Sequence, residues 1–293
     1  MKCIVCSGNI GREHTFREMM FGTRKEFIYW ECLGCGCLQI SVVPNNLGDY
    51  YPKNYYSFSI PEPAWKNWYY RAHFEFPALM RLLRRCPPDI SSVIAANPKP
   101  GARILDVGCG GGQLVRTLRR FGYEAYGTDP FLKAKLPYLR NSLLEDIDDE
   151  WDLIMFHHSL EHMQNHAETL RCARSKLAPG GVCLVRIPVA TWAWEHYGRD
   201  WVQLDAPRHF VIHTPKSFLL TAESAGFQTI RVIFDSNEFQ FFASELYQRD
   251  IPLQDCNVSE QLSRSKKRGY RAHADRLNRD QLGDQAAFFL SNN

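Results

Sequence analysis

Two groups of residues open the chemistry of this chain. The first is Leu105-Asp106-Val107-Gly108-Cys109-Gly110-Gly111-Gly112, an apolar run that breaks into glycines just before the amphipathic stretch Gln113 to Phe121. Glycine tolerates positive φ and lets bare backbone approach a ligand, and a helix behind such a turn aims free N–H groups into it. That order reads as strand, turn and helix built around a nucleotide-like cofactor, with Asp106, Gly108, Cys109 and Gly110 against it. Ala125 to Thr128 reads as a second strand ending at Asp129-Pro130, where a carboxylate suits the two hydroxyls of a ribose. The third glycine of a dinucleotide fingerprint is replaced by Gln113. The second group is two C-x-x-C pairs, Cys3/Cys6 and Cys32/Cys35, whose four thiolates complete a tetrahedral Zn²⁺ site of ribbon type. Cys37 could replace Cys35 as ligand, and a redox dithiol is the competing use of such pairs.

Two further stretches carry groups that titrate or stack. Phe156-His157-His158-Ser159-Leu160-Glu161-His162-Met163 ends a buried apolar strand, so its polar residues emerge at the rim of a sheet. An imidazole near neutral pKa suits removal of a hydroxyl proton. His162 is the first choice of base and His209 the second, with Glu161 and His158 orienting them and His157 assigned to the cofactor side. The excursion from Trp192 to Pro215 holds tryptophans, histidines and charges; Trp194, Tyr197 and Arg208 are its candidate acceptor contacts, with Arg208 matched to an anionic group. Tyr56, in the aromatic run Asp49 to Phe58, is a further contact if that run closes as a lid; stapling of the ribbon to the main domain is its plainer use.

The elements that position these groups alternate. Apolar runs at 103–107, 124–128, 138–142, 151–156, 182–187 and 228–234 read as strands, separated by helical spacing and by turns such as Pro179-Gly180-Gly181. A helix spans 215–225, a long polar helical stretch 239–283, and Ala286 to Leu290 makes a last strand. Trp65 to Arg85 has helical spacing and ends at Pro87-Pro88. The expectation is an α/β fold: a seven-stranded, mostly parallel, doubly wound Rossmann-like sheet behind a small zinc ribbon. The ribbon occupies 1–48, an aromatic linker and helical lid 49–100, and the cofactor domain 101–293, with a substrate insertion at about 190–214. A hydrophobic share of 45% over 293 residues supports a sizeable core, and a net charge of +3 gives no electrostatic case for nucleic acid. The first residues lack the apolar run of a signal peptide and no stretch approaches a membrane span, so a cytoplasmic protein with reduced thiols is expected.

The D-x-G-x-G turn with Asp129 ending the second strand resembles class I S-adenosylmethionine-dependent methyltransferases. The resemblance implies S-adenosylmethionine as cofactor, its methionine portion in the glycine turn, its ribose on Asp129, and its adenine near Ser142 and Leu143. The segment Leu204-Asp205-Ala206-Pro207-Arg208-His209, with the cysteine pairs and Tyr55-Tyr56-Ser57-Phe58, resembles bacterial methyltransferases of sugar and cell-surface polysaccharide pathways. It implies methyl transfer to a hydroxyl or amine of a sugar or nucleotide-sugar. A quinone-like or other aromatic acceptor is the alternative. An inactive binding module is the reading from a different class, opposed by the intact Asp106, Gly108, Gly110 and Asp129.

Overall fold

The computed structural model describes residues 2–51, 72–73, 75–76, 80, 86–133, 136–256 and 262–292. In chain order the strands are β1 (Ile10–Arg17), β2 (Glu26–Cys32), β3 (Leu38–Ile40), β4 (Arg103–Val107), β5 (Glu124–Thr128), β6 (Leu139–Arg140), β7 (Trp151–His157), β8 (Leu177–Pro188), β9 (Val211–Ile212), β10 (Gln228–Phe234) and β11 (Gln285–Ser291). The α-helices are α1 (Pro88–Ala96), α2 (Gln113–Arg120), α3 (His166–Ser175), α4 (Trp192–Tyr197), α5 (Pro215–Ser224), α6 (Phe239–Gln248) and α7 (Arg264–Arg279).

Seven strands form one sheet in the order β10-β11-β8-β7-β4-β5-β6, parallel except for β11, which runs antiparallel to both neighbours. Both faces are covered, which is why its central strands read as continuous apolar runs. Leu105, Val107, Ile154, Phe156, Val185 and Phe288 pack on one face with Leu170 of α3 and Phe218 of α5. Ile104, Leu153, Met155, Leu184 and Phe289 pack on the other with Val93 of α1 and Val115 of α2. The expected seven-stranded, mostly parallel α/β sheet is therefore present. Pro88 opens α1 rather than only ending what precedes it, because a missing N–H costs nothing at the first helical position. The helix expected over 65–85 and the lid residue Tyr56 lie outside the described residues.

A second, four-stranded antiparallel sheet has the order β1-β2-β3-β9. Its last strand comes from the excursion after β8, so the cysteine-bearing sheet is closed by a piece of the main domain. A third core joins the two parts, with Phe16, Tyr29 and Leu38 against Ala193, Trp201 and Ile212, and Phe241 and Leu277 behind them. Among the described residues no helix is long and apolar enough to cross a membrane.

Candidate active site

The glycine turn lies at the carboxyl edge of the parallel sheet, where open α/β sheets place their ligands. Gly108, Gly110 and Gly112 have φ of +75°, +52° and +73°. A Cβ on Gly108 would stand 2.5 Å from Cβ of Ser159, whose hydroxyl donates to the Val107 carbonyl at 2.6 Å. The segment after β7 and the glycine turn are thus pressed together, and only glycine fits between them.

Beside the turn is a cavity of 890 Å³ whose wall includes Gly108, Gly110, Asp129, Pro130, Ser142 and Leu143. Asp129 is anchored from both sides: the Gly110 N–H donates to Oδ2 at 3.0 Å and the Phe131 N–H to Oδ1 at 2.8 Å. Each oxygen keeps a free lone pair for a ligand hydroxyl. Asp106 lies behind the turn, 4% exposed, off the cavity wall, and its Oδ1 has no partner. Burial, then the Asp129 carboxylate, pushes its pKa up to about 7. A bare backbone cradle, an orphaned buried carboxyl oxygen and an anchored carboxylate fit a cofactor that carries a cationic amino-acid end and a ribose.

A second cavity, of 360 Å³, shares His158 and His162 with the first. Met20, Val202, Phe239, Tyr247 and Leu253 give it apolar walls, while Glu161, Asp205 and His209 face it with polar groups. The hydrogen bonds around it assign the imidazole tautomers. An Arg186 N–H donates to Nε2 of His158, so the Nδ1–H of His158 donates to Oε1 of Glu161 at 3.1 Å. His162 donates Nδ1–H to the Arg208 carbonyl at 2.9 Å, and His209 donates its own to the Gln203 carbonyl at 2.8 Å. Both rings therefore keep a lone pair on Nε2. Burial, then the neighbouring His209, holds the His162 pKa below the usual imidazole value. Burial alone would raise Glu161, but the His158 bond and the surrounding imidazoles outweigh it and bring its pKa to about 2.

Five expected contacts are corrected by their placement. Arg208 is 0% exposed; it grips Asp205 through Nε at 2.9 Å and NH2 at 2.5 Å, Glu18 at 3.0 Å and the Tyr50 carbonyl at 3.1 Å. Its donors are spent inside the protein, so no substrate anion reaches it. Trp194 packs edge-on against His14 and Phe16 of β1, and Tyr197 against Trp192 and His196, as parts of the core that fastens the two sheets together. His157 points to the opposite side of the strand end from His158, its Nε2 2.9 Å from the Ser92 hydroxyl of α1. Cys109 turns its thiol toward Gly127 on β5. None of these five lines either cavity. Glu18, Met20, Tyr29, Tyr51 and Asp205 join the site without having been singled out. Tyr51 sets its hydroxyl 3.3 Å from Nδ1 of His162, and Tyr29 donates to the His209 carbonyl at 2.7 Å.

Packed against Phe210 and Val211, the sulfurs of Cys3, Cys6, Cys32 and Cys35 cluster within 4.8 Å of one another. The Sγ separations are 3.7 Å for Cys3–Cys35 and 3.5 Å for Cys6–Cys32, against about 3.8 Å for a tetrahedron of Zn–S bonds. Cys37 lies 3.5 Å from both Cys3 and Cys35 but outside that group. The donor set and spacing fit a tetrathiolate metal.

A methyltransferase domain family matches residues 71–232, more than half of the chain. The chain belongs to that family, and with its sheet and glycine turn it is a class I S-adenosylmethionine-dependent methyltransferase. It is similar to the ubiquinone biosynthesis O-methyltransferase of Xanthomonas campestris pv. campestris strain B100, 31% identical over 160 residues that cover 48% of this chain and 66% of that protein. The mitochondrial ubiquinone biosynthesis O-methyltransferase of Rattus norvegicus is 31% identical over 103 residues, 29% of this chain and 30% of that one. The chain thus spans less than two thirds of these relatives. Among solved structures it resembles an S-adenosylmethionine-dependent methyltransferase from Archaeoglobus fulgidus at 18% identity and TM-score 0.45, covering 76% of this chain and 99% of that one. The curated relatives are named for a quinone pathway, which overturns the sugar or nucleotide-sugar acceptor expected from the excursion. The buried Arg208 and the packed Trp194 agree with that correction.

Proposed function

We propose that this chain transfers the methyl group of S-adenosylmethionine to a phenolic hydroxyl of a quinone-like acceptor seated in the 360 Å³ cavity. The observation that carries the reading is the shared wall: His158 and His162 line both cavities, so an acceptor in the second meets a cofactor in the first across two imidazoles. Apolar Met20, Val202, Phe239 and Leu253 suit an aromatic ring. The bound cofactor supplies a methyl group activated by its sulfonium. The protein's part is to align the acceptor oxygen with it, an effect of proximity and orientation. His162, neutral and with its Nε2 lone pair free, is the proposed base, with His209 beside it. Glu161, held by His158, favours the imidazolium that forms. The glycine turn and Asp129 hold the cofactor, and Pro130, Ser142 and Leu143 enclose it. Cys3, Cys6, Cys32 and Cys35 hold a structural Zn²⁺, since four thiolates leave no open position for catalysis.

The test is incubation with S-adenosylmethionine and a panel of catechols bearing alkyl or prenyl tails, read by mass spectrometry. A methyl ether product formed by the wild type and lost in His162→Ala, with cofactor binding retained, supports the proposal. Cofactor binding without methylation of any catechol overturns it.

A further inference from the structure

We propose that Met20 and Leu253 are the specificity-determining residues of the acceptor cavity: they form its mouth and select acceptors by the apolar substituent carried away from the reacting hydroxyl. The inference rests on the reading that the acceptor occupies the 360 Å³ cavity, and it gives the cysteine-bearing N-terminal sheet a part in choosing the substrate.

The residues that line this cavity differ in depth. His158 and His162 form the wall shared with the cofactor cavity, so the reacting oxygen belongs there. Val202 and Tyr247 wall the cavity from the interior, 6% and 4% exposed. Met20, Phe239 and Leu253 line the acceptor cavity alone and are half-buried, which puts them where it opens to solvent. Ligand cavities run from about 300 to 1,000 Å³, so one of 360 Å³ houses a substituted ring and little more. A longer substituent has to leave past the half-buried residues, and those are apolar. Each methylene buried against them is worth about fourfold in affinity.

The mouth is held together by backbone. Met20 lies in the turn between β1 and β2, and Leu253 in the segment after α6. The Leu253 N–H donates to the Met19 carbonyl at 3.0 Å, and the Gln254 N–H to the Met20 carbonyl at 3.0 Å. A Cβ on Gly22 would stand 2.6 Å from Cγ of Pro252, so the turn rests directly on the segment. On the solvent side Asp250 takes Nε of Arg24 at 2.9 Å and a guanidinium N–H of Arg17 at 2.8 Å. Glu18 fixes the turn from within, accepting from the Phe21 and Thr23 N–H groups. The frame is therefore set by main-chain bonds and by Glu18, and the width and polarity of the opening by two side chains. Methionine is unbranched and adapts to what lies against it. Changing either side chain alters selection without removing a bond that holds the frame.

The experiment is calorimetry on the full chain saturated with S-adenosylhomocysteine, with catechol and 4-hexylcatechol as ligands. The wild type should bind 4-hexylcatechol at least about 10-fold tighter. Met20→Gln, which keeps the length and makes the mouth polar, and Leu253→Trp, which fills it, should each cut that preference by on the order of 10-fold. S-adenosylhomocysteine affinity should stay at the wild-type value, which reports that the variants are folded. A wild type that binds both catechols equally, or variants that keep its preference, overturns the assignment. The same proteins are then given S-adenosylmethionine and the products read by mass spectrometry. Preferential binding of 4-hexylcatechol that the variants lose, without methylation, removes the methyl-transfer reading and leaves the mouth assigned. Methylation of both catechols with one ratio of kcat/KM in wild type and variants does the reverse. A wild type that binds neither overturns both.

Discussion

Replacing Arg208 with Met separates a structural role from a substrate-binding one. The side chain is fully buried, and its partners Glu18 and Asp205 are 0% and 13% exposed. Glu18 is also satisfied by the Phe21 and Thr23 N–H groups and the Thr23 hydroxyl, so it cannot swing out to water without breaking the turn it caps. Removing the guanidinium strands two carboxylates in the interior. Breaking a buried ion pair from one side costs about 3–5 kcal/mol. With two acceptors abandoned the upper end applies, a large part of a domain's typical stability of about 5–15 kcal/mol. The assay is urea unfolding followed by tryptophan fluorescence, since Trp201 and Trp151 are wholly buried and report on both parts. Arg208→Met should move the midpoint down sharply, and combining it with Glu18→Gln and Asp205→Asn should recover most of the loss, because the stranded charges go with it. A midpoint within about 1 kcal/mol of wild type, with a raised acceptor KM, would refute the placement and return Arg208 to the substrate.

Gly108→Ala should lose about 2–3 kcal/mol of stability from the left-handed backbone and the displaced Ser159 bond, together with most cofactor affinity; calorimetry showing wild-type affinity would sink this. Burial first holds His157 to a pKa of about 3, His166 to about 4 and His213 well below the usual value. These depressed values make stability full above about 6.5 and lost as pH falls through about 4, so a melting temperature flat between pH 7 and 5 would contradict the packing. Asp106 has the opposite sign: its pKa, raised to about 7, penalises the ligand-free fold increasingly as pH rises toward that value. Asp106→Asn should therefore raise the melting temperature more at pH 8 than at pH 5 while weakening cofactor binding, and equal gains at both pH values would argue against a buried carboxyl there.

What could be read from the sequence was what local pattern controls. Strands β4, β5 and β10 fall on the expected residues because each is a short run bounded by glycine, proline or charge, and the glycine turn needs no distant partner to declare itself. Strand β8 starts at Leu177 rather than 182, since Leu177 pairs with Trp151 of β7 and Pro179-Gly180-Gly181 form an irregularity before the ladder resumes at Val182. Strand β9 is two residues long and exists as a strand only because β3 lies beside it. The errors of role have one cause. Residue type shows what a side chain can bind and leaves open what it already holds. Arg208 looked like an anion receptor because its partner Glu18 stands 190 positions away. His157 and His158 are neighbours in the chain, yet one is tied to α1 and the other to Glu161, a difference made at the strand's end and invisible in composition.

The same long-range partners explain why a cysteine-bearing sheet is fused to this domain at all. The cavity assigned to the acceptor is not complete within the α/β unit. Met20 lines it from the loop after β1, Glu18 neutralises the arginine whose carbonyl orients His162, and Tyr29 supports the carbonyl of His209. Three supports of the site thus come from the N-terminal sheet. That sheet is joined to the excursion by β3–β9 pairing and by the Thr214 hydroxyl donating to the Cys35 carbonyl at 2.7 Å. A metal on the four cysteines would stiffen the knuckle that carries this last contact. The cofactor half of the site is therefore self-contained, while the acceptor half depends on the N-terminal unit. Loosening that unit should first be felt in acceptor turnover and only later in cofactor affinity.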